Sequence, residues 1–177
     1  MNYPNDENTL DTPSHSAVVV LYEKATDSLI LTKRSPHLRA HPGDICFPGG
    51  RWQIGDTNFW ETALRELHEE LDIDPLRVHF LKKMEPEKTL GGVVIHPWLA
   101  SINSLIPYSA NVREVAAVLT IPIRDVNVLV HYKDIILNKD GELISSAQFT
   151  ASDYFIWGAT ARIMRQLCSI DLISLTT

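Results

Sequence analysis

The sequence predicts an α/β sandwich around a mixed β-sheet. Two observations carry the prediction. Short apolar, β-branched runs recur along the chain, such as AVVVLYE at residues 17–23 and SLILTKR at 28–34, set apart by Gly, Pro, Asp and Ser breakers. Two segments near residues 57–71 and 157–167 instead repeat their apolar residues at helical spacing.

Each element follows from local chemistry. Residues 17–23 read as a buried strand, and Asp27-Ser28 as the turn before the next strand. Residues 35–44 hold two prolines and a glycine and read as a loop. Ile45-Cys46-Phe47 leads into a Pro48-Gly49-Gly50 turn. Thr57 is the expected N-cap of a helix over 57–71. Strands are predicted near 77–85, 92–102, 114–121 and 128–137. Gly141 marks a hairpin, a last strand is expected near 148–155, and an amphipathic helix over 157–167.

Composition narrows the class. The chain of 177 residues suffices for one well-buried domain, expected over residues 15–177 behind a flexible tail at 1–14. Hydrophobic content of 45% and charged content of 21% are those of a soluble protein. A net charge of −6 argues against a nucleic-acid partner but leaves room for an anionic small molecule. Cys46 and Cys168 provide neither a disulfide framework nor zinc spacing, and Cys46 reads as inert core. The polar, acidic start lacks a secretory pattern, and no apolar run reaches the ~18 residues of a membrane span. A cytoplasmic location without a membrane partner is expected.

The densest chemistry lies in RELHEEL, residues 65–71. Glu66, Glu69 and Glu70 fall within an arc of roughly 100° on the predicted helix. Trp60, Leu64, Leu67 and Leu71 form an apolar stripe centred roughly 140° away. An acidic face of this kind is often just solvated. Adjacent carboxylates also resist joint ionisation unless a cation neutralises them, and oxygen donors suit Mg²⁺ or Mn²⁺. Arg65 points away from both stripes and is placed to pair with a carboxylate and orient it.

Gly50, Arg65-Glu66-Leu67, Glu69-Glu70 and Ile73, preceded by FPGGR at 47–51, resemble the Nudix box. Asp56 stands where that box has Glu, the gap to Arg65 is one residue longer, and Asp72 replaces a Gly, which predicts a different helix cap. The upstream run ILTKRSPHLRAHPGDICFPGG, residues 30–50, is similar to a second signature of the coenzyme A diphosphatase branch. TALRE at 62–66, then Thr89, Gly92 and Pro97, then Asn111, Glu114 and Val115, and finally WGATARI at 157–163 fit the same branch, so the likeness spans residues 16–167.

The resemblance implies a Nudix-like α/β/α sandwich and a metal-dependent hydrolysis. The bond would be the diphosphate of coenzyme A or its derivatives, giving 3′,5′-ADP and 4′-phosphopantetheine or its acyl form. It implies Mg²⁺ or Mn²⁺ held by Glu66, Glu69 and Glu70, with Glu114 as a further ligand or the general base. Glu85 and Glu87 are lesser candidates for the base, and His41 reads equally as structural. Lys33, Arg34, Arg39, Gly49, Gly50 and Arg51 are the candidate substrate contacts, since Arg matches phosphate oxygens in bidentate fashion. A Nudix hydrolase of another nucleoside diphosphate derivative, such as ADP-ribose or a dinucleotide, stays open. So do a nucleotide sensor without turnover and either a monomer or a homodimer.

Overall fold

The structure, a computed structural model, describes residues 14–139 and 141–176. Strand β1 (His15–Glu23) turns at Asp27 into β2 (Ser28–Arg34). A loop leads to the short strands β3 (Ile45–Cys46) and β4 (Gly49–Arg51), then to helix α1 (Phe59–Leu71). Strands β5 (His79–Lys83), β6 (Glu87–Lys88), β7 (Val94–Ile102) and β8 (Val115–Pro122) complete an eight-stranded sheet. After the one-turn helix α2 (Ile123–Val126), a second sheet contains β9 (Tyr132–Lys139), β10 (Glu142–Phe149) and β11 (Ile156–Trp157). Helices α3 (Gly158–Gln166) and α4 (Leu172–Thr176) follow.

The axis of the large sheet is β1. It runs parallel to β7 and antiparallel to β2 and β4, which makes the sheet mixed as predicted. Its second half pairs with β2, at Leu21 with Ile30, while its first half pairs with β4, at Ala17 with Gly50. Alternation along β1 sends Ala17, Val19 and Leu21 to one face, where they meet Ala63, Leu67 and Leu71 of α1. Val18 and Val20 go to the other face, with Phe149, Ile163 and Met164. Both faces are covered, so the strand reads as one continuous apolar run. Each fully buried leucine or isoleucine here contributes about 1.5–3 kcal/mol.

Several boundaries differ from the sequence expectation for identifiable reasons. The N-cap of α1 is Asn58, whose Oδ1 accepts from Glu61 N–H at 3.0 Å, and Glu61 Oε2 in turn accepts from Thr57 N–H at 3.1 Å. The cap lies one residue past Thr57, and Thr57 contributes only its backbone N–H. At the other end Asp72 takes the left-handed conformation, φ 54°, that the family's Gly would supply, and donates its N–H to His68 O. The cap therefore keeps its usual form despite Asp. The strand expected at 148–155 is β10, Glu142–Phe149, followed by bends and the short β11. Its serines hid the strand, and exposed Tyr154 and Phe155 mimicked one. The tail expected at 1–14 lies, except for Ser14, outside the described residues. Among the described residues, no helix is long and apolar enough to cross a membrane.

The cap assignment is directly testable. Asn58→Ala is expected to lower stability by about 1 kcal/mol, or roughly 2–4 °C in Tm, whereas Thr57→Ala retains the N–H that bonds Glu61 and shifts it less. Equal losses in thermal melts would return the cap to Thr57.

Candidate active site

Helix α1 buries more than its apolar stripe. Glu66 and Glu70 are themselves buried, at 9% and 4% exposure, on the flank that carries Ala63 and Leu67. Trp60 and Leu64 sit half-buried at the rim of this face. The helix is thus rolled from the predicted orientation, with two acidic residues turned toward β4 and only Glu69 facing outward. Gly50 makes this approach possible, and Gly49 the pairing of β4 with β1. A Cβ on Gly50 would lie 2.3 Å from Glu66 Cδ, and one on Gly49 would lie 2.2 Å from Ala17 O. Gly49 also has φ +152° and donates its N–H to Glu70 Oε2 at 3.3 Å. The predicted Pro-Gly-Gly turn is therefore partly a strand, with both glycines paired to β1.

Arg65 organises the acidic flank. Its guanidinium bonds both oxygens of Asp56, Nε to Oδ1 at 2.9 Å and Nη2 to Oδ2 at 3.0 Å. Its Nη1 reaches Glu66 Oε1 at 2.8 Å and Glu69 Oε1 at 3.2 Å, and its Nη2 reaches Arg51 O at 3.1 Å. Asp56 also accepts from Thr62 Oγ1 and Gln53 N–H. Bonding from Arg65 holds the Asp56 carboxyl below its ordinary range. Despite its shorter side chain, Asp56 grips this arginine in bidentate fashion. Arg51 contributes its carbonyl to the network while its side chain is exposed.

The electrostatics set Glu66 and Glu70 apart. Burial pushes the Glu70 carboxyl up to about 8, and the charges of Glu66 and Glu114 push the same way, against the Gly49 N–H and the Arg34 guanidinium. Burial also raises Glu66, against the pull of Arg65. Glu114 precedes β8, half-buried, and its Oε1 accepts from Asn111 Nδ2 at 3.1 Å. Its segment is docked on the C-terminal end of α1, with Ser109 N–H donating to Leu71 O and Asn111 N–H to Glu70 O. Asn111 was legible in the sequence only as one position of a pattern. Its bonds to two of the acidic residues emerge from the fold.

The other candidates separate. Arg34 lies close enough to Glu70 and Cys46 to favour their anions. Lys33 follows Leu29 and Leu31 in the alternation of β2 and leaves the sheet on the α3 face, away from α1. Arg39 is exposed on the loop between β2 and β3, whose base is closed by Arg34 N–H donating to Asp44 O at 2.9 Å. His41, exposed in that loop, bonds Asp44 Oδ2 through Nδ1 at 3.1 Å. Glu87 is bonded by Arg162 Nε at 2.8 Å, and the backbone N–H and carbonyl of Glu85 bond the Gln166 side-chain amide, so both belong to the packing of α3. Cys46, expected in the core, is only partly buried, and desolvation pushes its thiol up to about 11.

As arranged, no three His, Cys, Asp or Glu side chains among the described residues close a metal site. In kind, the donors still fit a hard divalent cation. Glu66 and Glu70 are two oxygen donors held together in low dielectric, with Glu114 near enough to raise both. Such a group is short of positive charge.

This imbalance has a pH signature without metal. The folded-state value of Glu70 lies above the unfolded one, so the native state binds more protons between about 4.5 and 8. Stability from this group is therefore lost as pH rises through that window, at up to about 1.4 kcal/mol per pH unit. Metal-free Glu70→Gln is expected to melt above the native protein at pH 8.5 and together with it near pH 4.5. A gap independent of pH would mean that Glu70 titrates as an ordinary surface carboxylate.

Comparison with known proteins agrees with this geometry. Residues 13–143 match the NUDIX domain. The chain is 33% identical over 152 residues to the uncharacterized Nudix hydrolase NudL of Enterobacter sp. (strain 638), covering 86% of this chain and 79% of that protein. It is 35% identical over 142 residues to NudL of Yersinia pestis (strain Pestoides F), covering 79% and 70%. A Deinococcus radiodurans crystal structure shares the fold with TM-score 0.59 and 14% identity over 86% of this chain and 82% of that one. The C. elegans Ap4A hydrolase binary complex does so at 0.53 and 20%, over 62% and 80%. The family match covers most of the sequence and includes the paired glutamates with their glycine floor; the chain belongs to the Nudix family and is a hydrolase acting on phosphoanhydride bonds.

Proposed function

We propose that this hydrolase cleaves the diphosphate of coenzyme A or its acyl derivatives with a divalent metal, Mg²⁺ or Mn²⁺. The observation that carries the reading is how the upstream loop is built into the site. The segment resembling the coenzyme A signature supplies Arg34 beside Glu70 and the Ser35 N–H that bonds Glu114 O at 2.8 Å. A basic loop anchored to the acidic cluster is suited to a substrate with a diphosphate at one end and a further phosphate nearby.

Glu66 and Glu70 would hold the metal, with Glu114 as a third donor or as the base. Glu69, half-exposed and bonded to Arg65, would serve at the rim. When bound, the divalent ion supplies charge neutralisation at the phosphate oxygens and acidifies a water. The protein's own contribution is positional. Arg65, braced by Asp56, fixes the Glu66 carboxylate, and the Gly49 N–H fixes that of Glu70. The bare backbone of Gly50 admits the Glu66 carboxylate. Glu114, held by Asn111, would, as the base, accept a proton from the attacking water. Arg34, Arg39 and Arg51 would bind phosphate oxygens. Lys33, on the far face, is the weakest of the expected contacts.

Incubation with Mg²⁺ or Mn²⁺ and a panel of coenzyme A, ADP-ribose and dinucleotides, with product identification, tests the reading. Coenzyme A is expected to yield 3′,5′-ADP and 4′-phosphopantetheine. Preferential turnover of ADP-ribose or a dinucleotide would replace the substrate, and no turnover of any would favour a nucleotide sensor. Saturating Mn²⁺ is expected to raise Tm in the native protein and to do little in Glu70→Gln. Glu66→Gln and Glu70→Gln are each expected to lower kcat at least ~100-fold. Near-normal turnover in both would make the acidic face structural.

Arg39 separates coenzyme A from smaller substrates. Arg39→Ala is expected to reduce kcat/KM for coenzyme A roughly 10- to 150-fold, mainly through KM, with less effect on ADP-ribose, which lacks the 3′-phosphate. Equal losses on the two substrates would assign Arg39 to the shared diphosphate.

A further inference from the structure

We infer that Asn111 is a positioning residue of this reaction: its side-chain amide holds the Glu114 carboxylate while its backbone fastens the same turn to the end of α1. The inference rests on the diphosphatase reading and on Glu114 taking part in it. Every polar group of Asn111 is engaged. Nδ2 donates to Glu114 Oε1 at 3.1 Å, and Oδ1 accepts from Arg113 N–H at 3.2 Å. The carbonyl accepts from Glu114 N–H at 2.9 Å and Val115 N–H at 2.8 Å, and the N–H donates to Glu70 O at 2.8 Å.

The consequence is geometric. Glu70 and Glu114 lie 44 residues apart in sequence, yet one residue bonds both, the first through its backbone and the second through its carboxylate. Glu114 is only half-buried, so without a donor its flexible side chain would turn to water. The amide selects one arrangement, and a bond to an ionised acceptor is among the stronger kinds. Glu114 O also accepts from Ser35 N–H at 2.8 Å, so the turn joins the helix end, the carboxylate and the start of the upstream loop. Asn111 touches no reacting atom and acts through Glu114.

Asn111→Asp is the informative variant. It can still accept from Arg113 N–H, but it cannot donate to Glu114 and sets a second negative charge beside it. Steady-state kinetics on coenzyme A and ADP-ribose with Mg²⁺ would compare native protein, Asn111→Asp, Glu114→Gln and the double variant, with thermal melts of each. Asn111→Asp is expected to lower kcat about 10-fold or more with little change in KM, and to cost less than about 2-fold in the Glu114→Gln background. That non-additivity is what one residue acting through another produces. Independent, multiplicative losses overturn the inference, as does a defect confined to KM. A kcat loss that persists without the Glu114 carboxylate and tracks a fall in Tm would make Asn111 structural and also overturns it. Full activity in Glu114→Gln overturns it while leaving the diphosphatase reading intact. A native protein that turns over neither substrate removes both.

Discussion

The close approach of α1 to the β4 backbone is the constraint on which the rest depends. Two carboxylates are buried in a protein interior, where unpaired charge is costly. Glu66 fits there because Gly50 beneath it has no side chain, and both are tolerated because Arg65, the Gly49 N–H and Arg34 offset part of the charge. The remaining deficit of positive charge is what would make the cluster a cation site. Stability given up at this point in the metal-free protein would be recovered by a cation that binds to the folded state alone.

Arg65 converts that cluster from a set of charges into a defined shape. A guanidinium bonded on two edges has little freedom left, and Asp56 takes one edge in bidentate fashion. Asp56 is itself fixed by Thr62 and by the backbone of residue 53. The chain of fixed groups thus runs from the loop before α1, through the arginine, to Glu66. An arginine in such a place supports chemistry without touching the substrate.

Much of this was legible in sequence, and the misses have physical causes. Alternation and breakers located β1, β2 and the hairpin at Gly141 because those signals are local. The glutamate spacing revealed the helix and its acidic face. It could not reveal how far the helix rolls on the sheet, since that depends on Gly50 meeting Glu66 across 16 residues of chain. Helical periodicity alone placed the acidic arc opposite the apolar stripe, whereas contact with a bare backbone drew Glu66 and Glu70 inward. The split between Lys33 and Arg34 is an ordinary result of strand alternation, masked by their adjacency in a basic run. Asn111 gave no chemical signal of its own, because its partners are defined only once the turn docks on α1.

The loop between β2 and β3 closes on itself at Arg34 and Asp44, where it adjoins the acidic cluster. A loop tied at its neck behaves as an exchangeable module. Its interior residues can change in length or charge while the supporting strands stay in register. The floor made by β4 and α1 has no such freedom, since each of its glycines meets backbone or a carboxylate. Divergence among proteins built on this plan would therefore concentrate in residues 36–43, which would alter which diphosphate compound is accepted while the bond-breaking apparatus stays the same.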